Sequence, residues 1–211
     1  MPIEPKDIQA ALQKHHRQEY PALPGRTNHL KTGVLVPLIW SPEPIVVLTL
    51  RAANLRNHAG EVSFPGGKPD AQDINLEATA LREASEELGI HNARVLGRLS
   101  SIPLYTSEYR LEPYVAEVND QRPFAHNEEV EQVLYLALRG VLSRASIDGM
   151  PYVLDGVEGL SPLFFPGGHA MFGATAYCFL ELLVVCAPLF ELALPPLVAG
   201  KLSWEEVLRK R

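Results

Sequence analysis

Residues 80–90 read ALREASEELGI and place Glu83, Glu86 and Glu87 beside Arg82. A helix turns about 100° per residue, so positions three and four apart are neighbours and these three carboxylates share an arc of about 100°. Without a counter-charge, each i,i+4 like pair costs a few tenths of a kcal/mol, roughly. A hard divalent cation reverses that sign, because Mg²⁺ or Mn²⁺ takes carboxylate oxygens together with water and phosphate oxygens. A solvated acidic face, partly neutralised by Arg82, is the other reading of these residues alone. Ile74, Leu81, Ala84 and Leu88 fall on a different arc, which predicts an amphipathic helix over 74–88 with its apolar side to a core. Gly89 supplies its stop.

Just upstream stands LTLRAANLRNHAGEVSFPGGKPD. Gly66 and Gly67 after Phe64-Pro65 make a sharp turn without side chains, open to close backbone approach by a metal or phosphate, or simply a turn. It is not a Walker loop, since Lys68 precedes Pro69 and the required upstream glycine is missing. Arg51 and Arg56 offer planar, permanent charge for bidentate phosphate contacts, with Glu61 and Asp70 as competing partners. Lys68 is a further phosphate contact or an exposed side chain. Downstream, HNEEVEQV (126–133) offers Glu128, Glu129 and Glu131 just before an expected strand, as proton acceptors or as a solvated loop. Neither a Ser-His-Asp set nor a Gly-x-Ser-x-Gly elbow is present.

Several elements must position these groups. An amphipathic helix is expected over 3–20, carrying His15 and His16 exposed. The β-branched runs 32–40 and 44–50 flank a Ser-Pro-Glu-Pro turn and read as a strand pair, with Pro37 suggesting an edge or a bulge. The stretch 54–70 reads as loop. Further strands are expected near 94–101, 113–118 and 130–136, then a short helix near 138–144 and a strand pair near 151–154 and 163–165. The apolar run 170–200 predicts a buried helix over 173–187: Glu181 in its middle and Pro188 at its end are costly in a membrane span. In MFGATA (171–176), Gly173 is read as permitting close helix packing. Ser203 with Glu206 is a capping box for a last helix to Arg209. Mixed strands and helices predict one α/β domain with helices on both faces of a mixed sheet.

The 211 residues suffice for a substantial core, and 46% hydrophobic with 21% charged residues is an ordinary globular composition. A net charge of −6 argues against non-specific nucleic-acid binding but leaves room for a small anion in a locally basic pocket. Cys178 and Cys186 match no zinc spacing and read as buried free thiols of a reducing compartment. The polar opening MPIEPKDIQA shows no signal peptide, so a cytoplasmic protein without stable membrane insertion is expected.

Taken together, a strand pair, Phe-Pro-Gly-Gly and an acidic Arg-Glu-x-x-Glu-Glu-x-Gly helix resemble the Nudix hydrolase family, whose box reads Gly-x5-Glu-x7-Arg-Glu-U-x-Glu-Glu-x-Gly-U with U apolar. Gly67 matches its opening glycine, and Arg82, Glu83, Ala84, Glu86, Glu87, Gly89 and Ile90 match its second half. Asp73 stands where the first Glu is expected, and eight residues separate it from Arg82 instead of seven. The partner of Arg82 is therefore open between Asp73 and Glu77.

Ahead of the box, Leu48, Thr49, Arg51, Arg56, Gly60, Phe64, Pro65, Gly66 and Gly67 are in register with the signature of the coenzyme A pyrophosphatase subfamily, with Val47 and Ala52 replacing a Leu and a Ser. That subfamily commonly carries the longer first half. The resemblance implies a single Nudix domain over 1–211 with helical decorations at both ends, built as an α/β/α sandwich with a mixed β-sheet. It implies hydrolysis of the coenzyme A pyrophosphate to 3′,5′-ADP and 4′-phosphopantetheine. Glu83, Glu86, Glu87 and the Gly67 carbonyl would hold Mg²⁺ or Mn²⁺; Arg51, Arg56, Lys68, Gly66 and Gly67 would bind substrate; Glu129 is the candidate base. ADP-ribose or a dinucleotide is the alternative substrate class, and a non-catalytic binder a further one. Monomer and homodimer both remain open.

Overall fold

The central element is β1 (Leu30–Trp40), in a computed structural model that describes residues 2–119, 122–154 and 156–209. On one side it runs parallel to β7 (Tyr109–Val118), from Leu30↔Tyr109 to Leu38↔Glu117. On the other side it makes two separate pairings. Leu38–Trp40 form a hairpin with β2 (Pro44–Arg51), while Gly33 and Val34 pair antiparallel with β4 (Gly66–Gly67). β2 also carries β3 (Val62–Ser63) and β8 (Val130–Ala137). β7 carries β5 (Ala93–Arg98) and β6 (Ile102–Pro103), which completes an eight-stranded mixed sheet.

Alternation along the strands separates two cores. Leu35, Ile39, Val47, Tyr114 and Ala116 pack with Ala80, Ala84 and Leu88 of α2 (Leu76–Leu88). Val34, Val36, Leu38, Val46, Leu48 and Val115 face the other way. There they meet α1 (Pro5–Lys14), α3 (Leu138–Leu142) and α4 (Gly173–Cys186). The chain is thus an α/β/α sandwich around a mixed sheet. A second sheet, β10 (Val157–Leu163), β9 (Ile147–Leu154) and β11 (Leu197–Ala199), packs Met150 and Leu163 against Val207 of α5 (Trp204–Arg209).

Pro37 lies on a central strand in unbroken register with β7, so it marks neither the sheet edge nor the bulge expected of it. The donor it lacks falls in the gap between the β2 and β4 pairings. Leu35 N–H donates to Pro65 O at 2.9 Å, and two residues on the same edge of β1 is open. The first helix is shorter than expected. Ile8 and Leu12 are its buried residues, and no apolar side chain continues that spacing beyond Leu12 toward Tyr20. The backbone turns extended at His15, which is half-buried rather than exposed: its Nε2 donates to Glu181 Oε1 at 2.7 Å.

Glu181 sits in the middle of α4. Its carboxylate also accepts from Ser100 N (3.0 Å) and Ser100 Oγ (2.5 Å), so a charge on an apolar helix is satisfied by two neighbouring segments. Gly173–Phe190 is long and apolar enough to cross a membrane by length and composition. Seven α4 residues, including both free cysteines, are nevertheless buried in the core, as expected for a core helix. Gly173 itself meets nothing within 4 Å of where a Cβ would stand. Its φ of 61° belongs to the left-handed region, so it serves the helix entry and not close packing.

Close packing is instead required at Gly33. A Cβ there would overlap the Leu76 carbonyl and press on Ala80 N in the first turns of α2. Gly33→Ala should therefore cost about 1–3 kcal/mol, read as a lower urea midpoint at unchanged slope. An unchanged midpoint would mean that α2 does not rest on β1 in this way.

Candidate active site

Strand β4 is only a pair of glycines, yet it fixes the site. Pairing with Gly33 and Val34 stitches the Phe-Pro-Gly-Gly turn to the central strand, and α2 lies over the same place. Asn75 caps α2, its Oδ1 accepting from Ala78 N at 2.8 Å, and Gly89 ends it at φ 62°. Ile74, expected on the core arc, is 89% exposed because it precedes that cap. Leu81 packs partly buried and Ala84 and Leu88 fully, as expected.

The site carboxylates do not share one environment. Arg82 draws together the outer ones. Its Nε donates to Asp73 Oδ1 at 3.1 Å, and its Nη2 to Asp73 Oδ2 and to Lys68 O, both at 3.0 Å. Nη1 donates to Glu86 Oε2 at 3.1 Å, and Glu83 Oε1 lies 3.0 Å from Nη2. Asp73, not Glu77, is thus the partner of Arg82. Its carboxylate also accepts from Asp70 N (2.8 Å) and Thr79 Oγ1 (2.9 Å). The Arg82 guanidinium, foremost among these donors, holds the Asp73 carboxyl down to about 2.

Glu86 is half-exposed toward solvent, whereas Glu83 and Glu87 turn inward. Glu83 lies directly against Gly67, where the first carbon of any side chain would collide with its carboxylate. Glu87 is 4% exposed, and its Oε2 has no hydrogen-bond partner among the described residues. Burial pushes the Glu87 carboxyl up to about 8; Arg51 and the Gly66 amide oppose this, while Glu83 and Glu129 reinforce it. Burial likewise raises Glu83, against the pull of Arg82. Among the described residues, no three His, Cys, Asp or Glu side chains are drawn together tightly enough to hold a metal by themselves. The inward pair is Glu83 and Glu87, with hard oxygen donors and one orphaned lone-pair position, which fits a divalent cation.

Arg51, at the end of β2, borders this pair. Its Nη2 stands 3.6 Å from Glu129 Oε2, and its buried Nε has no hydrogen-bond partner among the described residues. Glu129, exposed like Glu128 and Glu131, is nevertheless close enough to raise both Glu83 and Glu87. Arg56 is exposed on the loop after β2. Lys68 is exposed as well, with Nζ 5.0 Å from the centre of the Tyr109 ring. Sequence spacing gave no signal for Tyr109, nor for Asn127, whose N–H donates to Glu87 O at 3.1 Å. Both come from segments distant in sequence that only the folded sheet brings here.

Residues 29–149 match the family model described as NUDIX domain. Curated relatives include the uncharacterized Nudix hydrolase NudL of Yersinia pestis (strain Pestoides F) and that of Yersinia pseudotuberculosis serotype O:1b. Each is 39% identical over 150 residues, covering 69% of this chain and 74% of its own. Similar solved structures include a MutT protein from Methanosarcina mazei Go1, at 22% identity and TM-score 0.41 over 55% of this chain and 81% of its own. An Ap4A hydrolase of C. elegans, at 16% identity and TM-score 0.42, covers 51% of this chain and 80% of its own.

The Asp73 lock makes a prediction about acid stability. Its proton affinity is lowered on folding from 3.8 to about 2. Its stabilisation is therefore complete above pH 3.8 and is lost as pH falls through about 2. Asp73→Asn should lower the urea midpoint at neutral pH, by a margin that closes across that acid window. A margin independent of pH, or an equal loss in Glu77→Gln, would contradict the assignment.

Proposed function

The chain belongs to the Nudix hydrolase family, and from that premise we propose that it is a metal-dependent coenzyme A pyrophosphatase, cleaving the diphosphate to 3′,5′-ADP and 4′-phosphopantetheine. The observation that carries this reading is the convergence of Glu83, Glu87, Gly66–Gly67 and Arg51. The box carboxylates and the arginine of the upstream signature, 32 residues or more apart in the chain, border one another in space. Arg51 with its unsatisfied Nε, Arg56 and Lys68 supply the positive charge that a substrate with several phosphates requires.

Glu83 and Glu87, with Glu86 and the Gly67 carbonyl, are the proposed ligands of Mg²⁺ or Mn²⁺. When bound, such a cation neutralises phosphate oxygens and lowers the pKa of a coordinated water. Everything else in the proposed mechanism belongs to the chain. Arg51 binds and orients the diphosphate oxygens. The glycine turn leaves room for them, since no side chain projects from Gly66 or Gly67. Glu129 takes the proton from the attacking water at its carboxylate, beside Arg51. Orientation of water and phosphate on this rigid frame provides much of the rate.

The same phosphate contacts would also serve another nucleoside diphosphate derivative, so substrate choice must be read directly. Incubation with Mg²⁺ or Mn²⁺ and coenzyme A, ADP-ribose, NADH or dinucleoside polyphosphates, followed by chromatography, should show coenzyme A cleaved fastest. Rapid cleavage of ADP-ribose with coenzyme A intact would sink the coenzyme A reading; no cleavage at all would favour a binding protein. Glu87→Gln should unfold at a midpoint no lower than wild type at neutral pH, since the amide carries no ionisation penalty, and lose about a hundredfold or more in kcat/KM.

A further inference from the structure

A carboxylate that must meet a water molecule needs a fixed place, yet the Glu129 side chain is half-exposed and its ion pair with Arg51 is a loose 3.6 Å contact. Its position has to come from the main chain. Three hydrogen bonds supply it. Asn127 N donates to Glu87 O at 3.1 Å, Glu129 N donates to Asn127 Oδ1 at 2.9 Å, and Ala52 N donates to Glu129 O at 2.8 Å. The first uses a carbonyl in the last turn of α2, where no further helical N–H is available to it. The loop is therefore fastened to the very residue whose side chain enters the site. The second closes a turn through a side chain, so it depends on the identity of residue 127. The third ties Glu129 to the residue following Arg51.

We propose that Asn127 is a positioning residue that holds Glu129 against the Glu83–Glu87 pair and Arg51. This rests on the reading of Glu129 as the proton acceptor. The backbone bond to Glu87 survives any residue but proline at 127, whereas the bond from Glu129 N requires an acceptor there. Alanine removes that acceptor, and aspartate keeps one in the same place. The effect should fall on turnover and not on substrate capture, because Asn127 itself bears no charge that a phosphate would recognise.

The test compares Asn127→Ala, Asn127→Asp, Glu129→Gln and the double variant Asn127→Ala/Glu129→Gln, assayed with the best-cleaved compound of the panel above. Asn127→Ala should lose about 10- to 100-fold in kcat with KM nearly unchanged, and Asn127→Asp should recover most of it. The double variant should be no slower than Glu129→Gln, since both changes remove one function. Amide exchange at Glu129 should quicken in Asn127→Ala, with the global unfolding midpoint retained. Wild-type kcat in Asn127→Ala beside a slow Glu129→Gln would overturn the positioning role and leave the acceptor reading standing. So would losses that multiply in the double variant. Full activity in Glu129→Gln would overturn the acceptor reading, and this proposal with it.

Discussion

One carboxylate oxygen without a donor governs this structure. Glu87 is buried at the end of α2, and its Oε2 has no partner among the described residues. Leaving such a group unsatisfied costs about 1–3 kcal/mol when neutral, and more when charged. The free protein meets the cost by keeping a proton, since burial pushes the carboxyl up to about 8 from 4.5. The sign follows from linkage: between those values the folded state holds a proton that the unfolded chain has lost, so stability declines as pH rises. A cation bound as proposed would remove the penalty by replacing the proton. Retaining an acid here is thus a sacrifice of stability at neutral pH, which binding would restore.

The scaffold arranges that sacrifice locally. β1 pairs with β2 only from Leu38 onward and earlier, at Gly33 and Val34, takes the two glycines of β4. This brings the glycine turn beneath α2, and the missing side chain at Gly67 is the space that Glu83 occupies. Arg82 then separates the acidic cluster. It engages Asp73 and Glu86 on the outside and touches Glu83 from one flank, and the Glu83–Glu87 pair still faces inward. Arg51 and Glu129 reach this pair from β2 and from the loop before β8, so four segments depend on the same few ångströms of packing.

Much of this was legible in the residues. The 3.6-residue period and Gly89 located α2, and β-branched runs located β1, β2 and β8, because those signals are local. What failed was decided by distant partners. Pro37 reads as an edge residue until β4 is known to leave a gap opposite it. His15 reads as exposed until Glu181, more than 160 residues later, supplies an acceptor. The two-residue strands β3, β4 and β6 carry no period, and β11 pairs in parallel with a strand far away in sequence. The candidate site was likewise half readable. Spacing put three carboxylates on one arc, but only the fold turns Glu86 toward Arg82 and ties Asn127 to Glu87.

The central claim is that Glu87 is a buried acid held ready for a cation, and a carboxyl-carbon NMR titration of the metal-free protein tests it most directly. With the signal assigned through its loss in Glu87→Gln, Glu87 should titrate near 8. Added Mg²⁺ should displace that proton and abolish the high-pH step. A Glu87 signal titrating in the ordinary carboxylate range near 4.5, indifferent to Mg²⁺, would contradict the account.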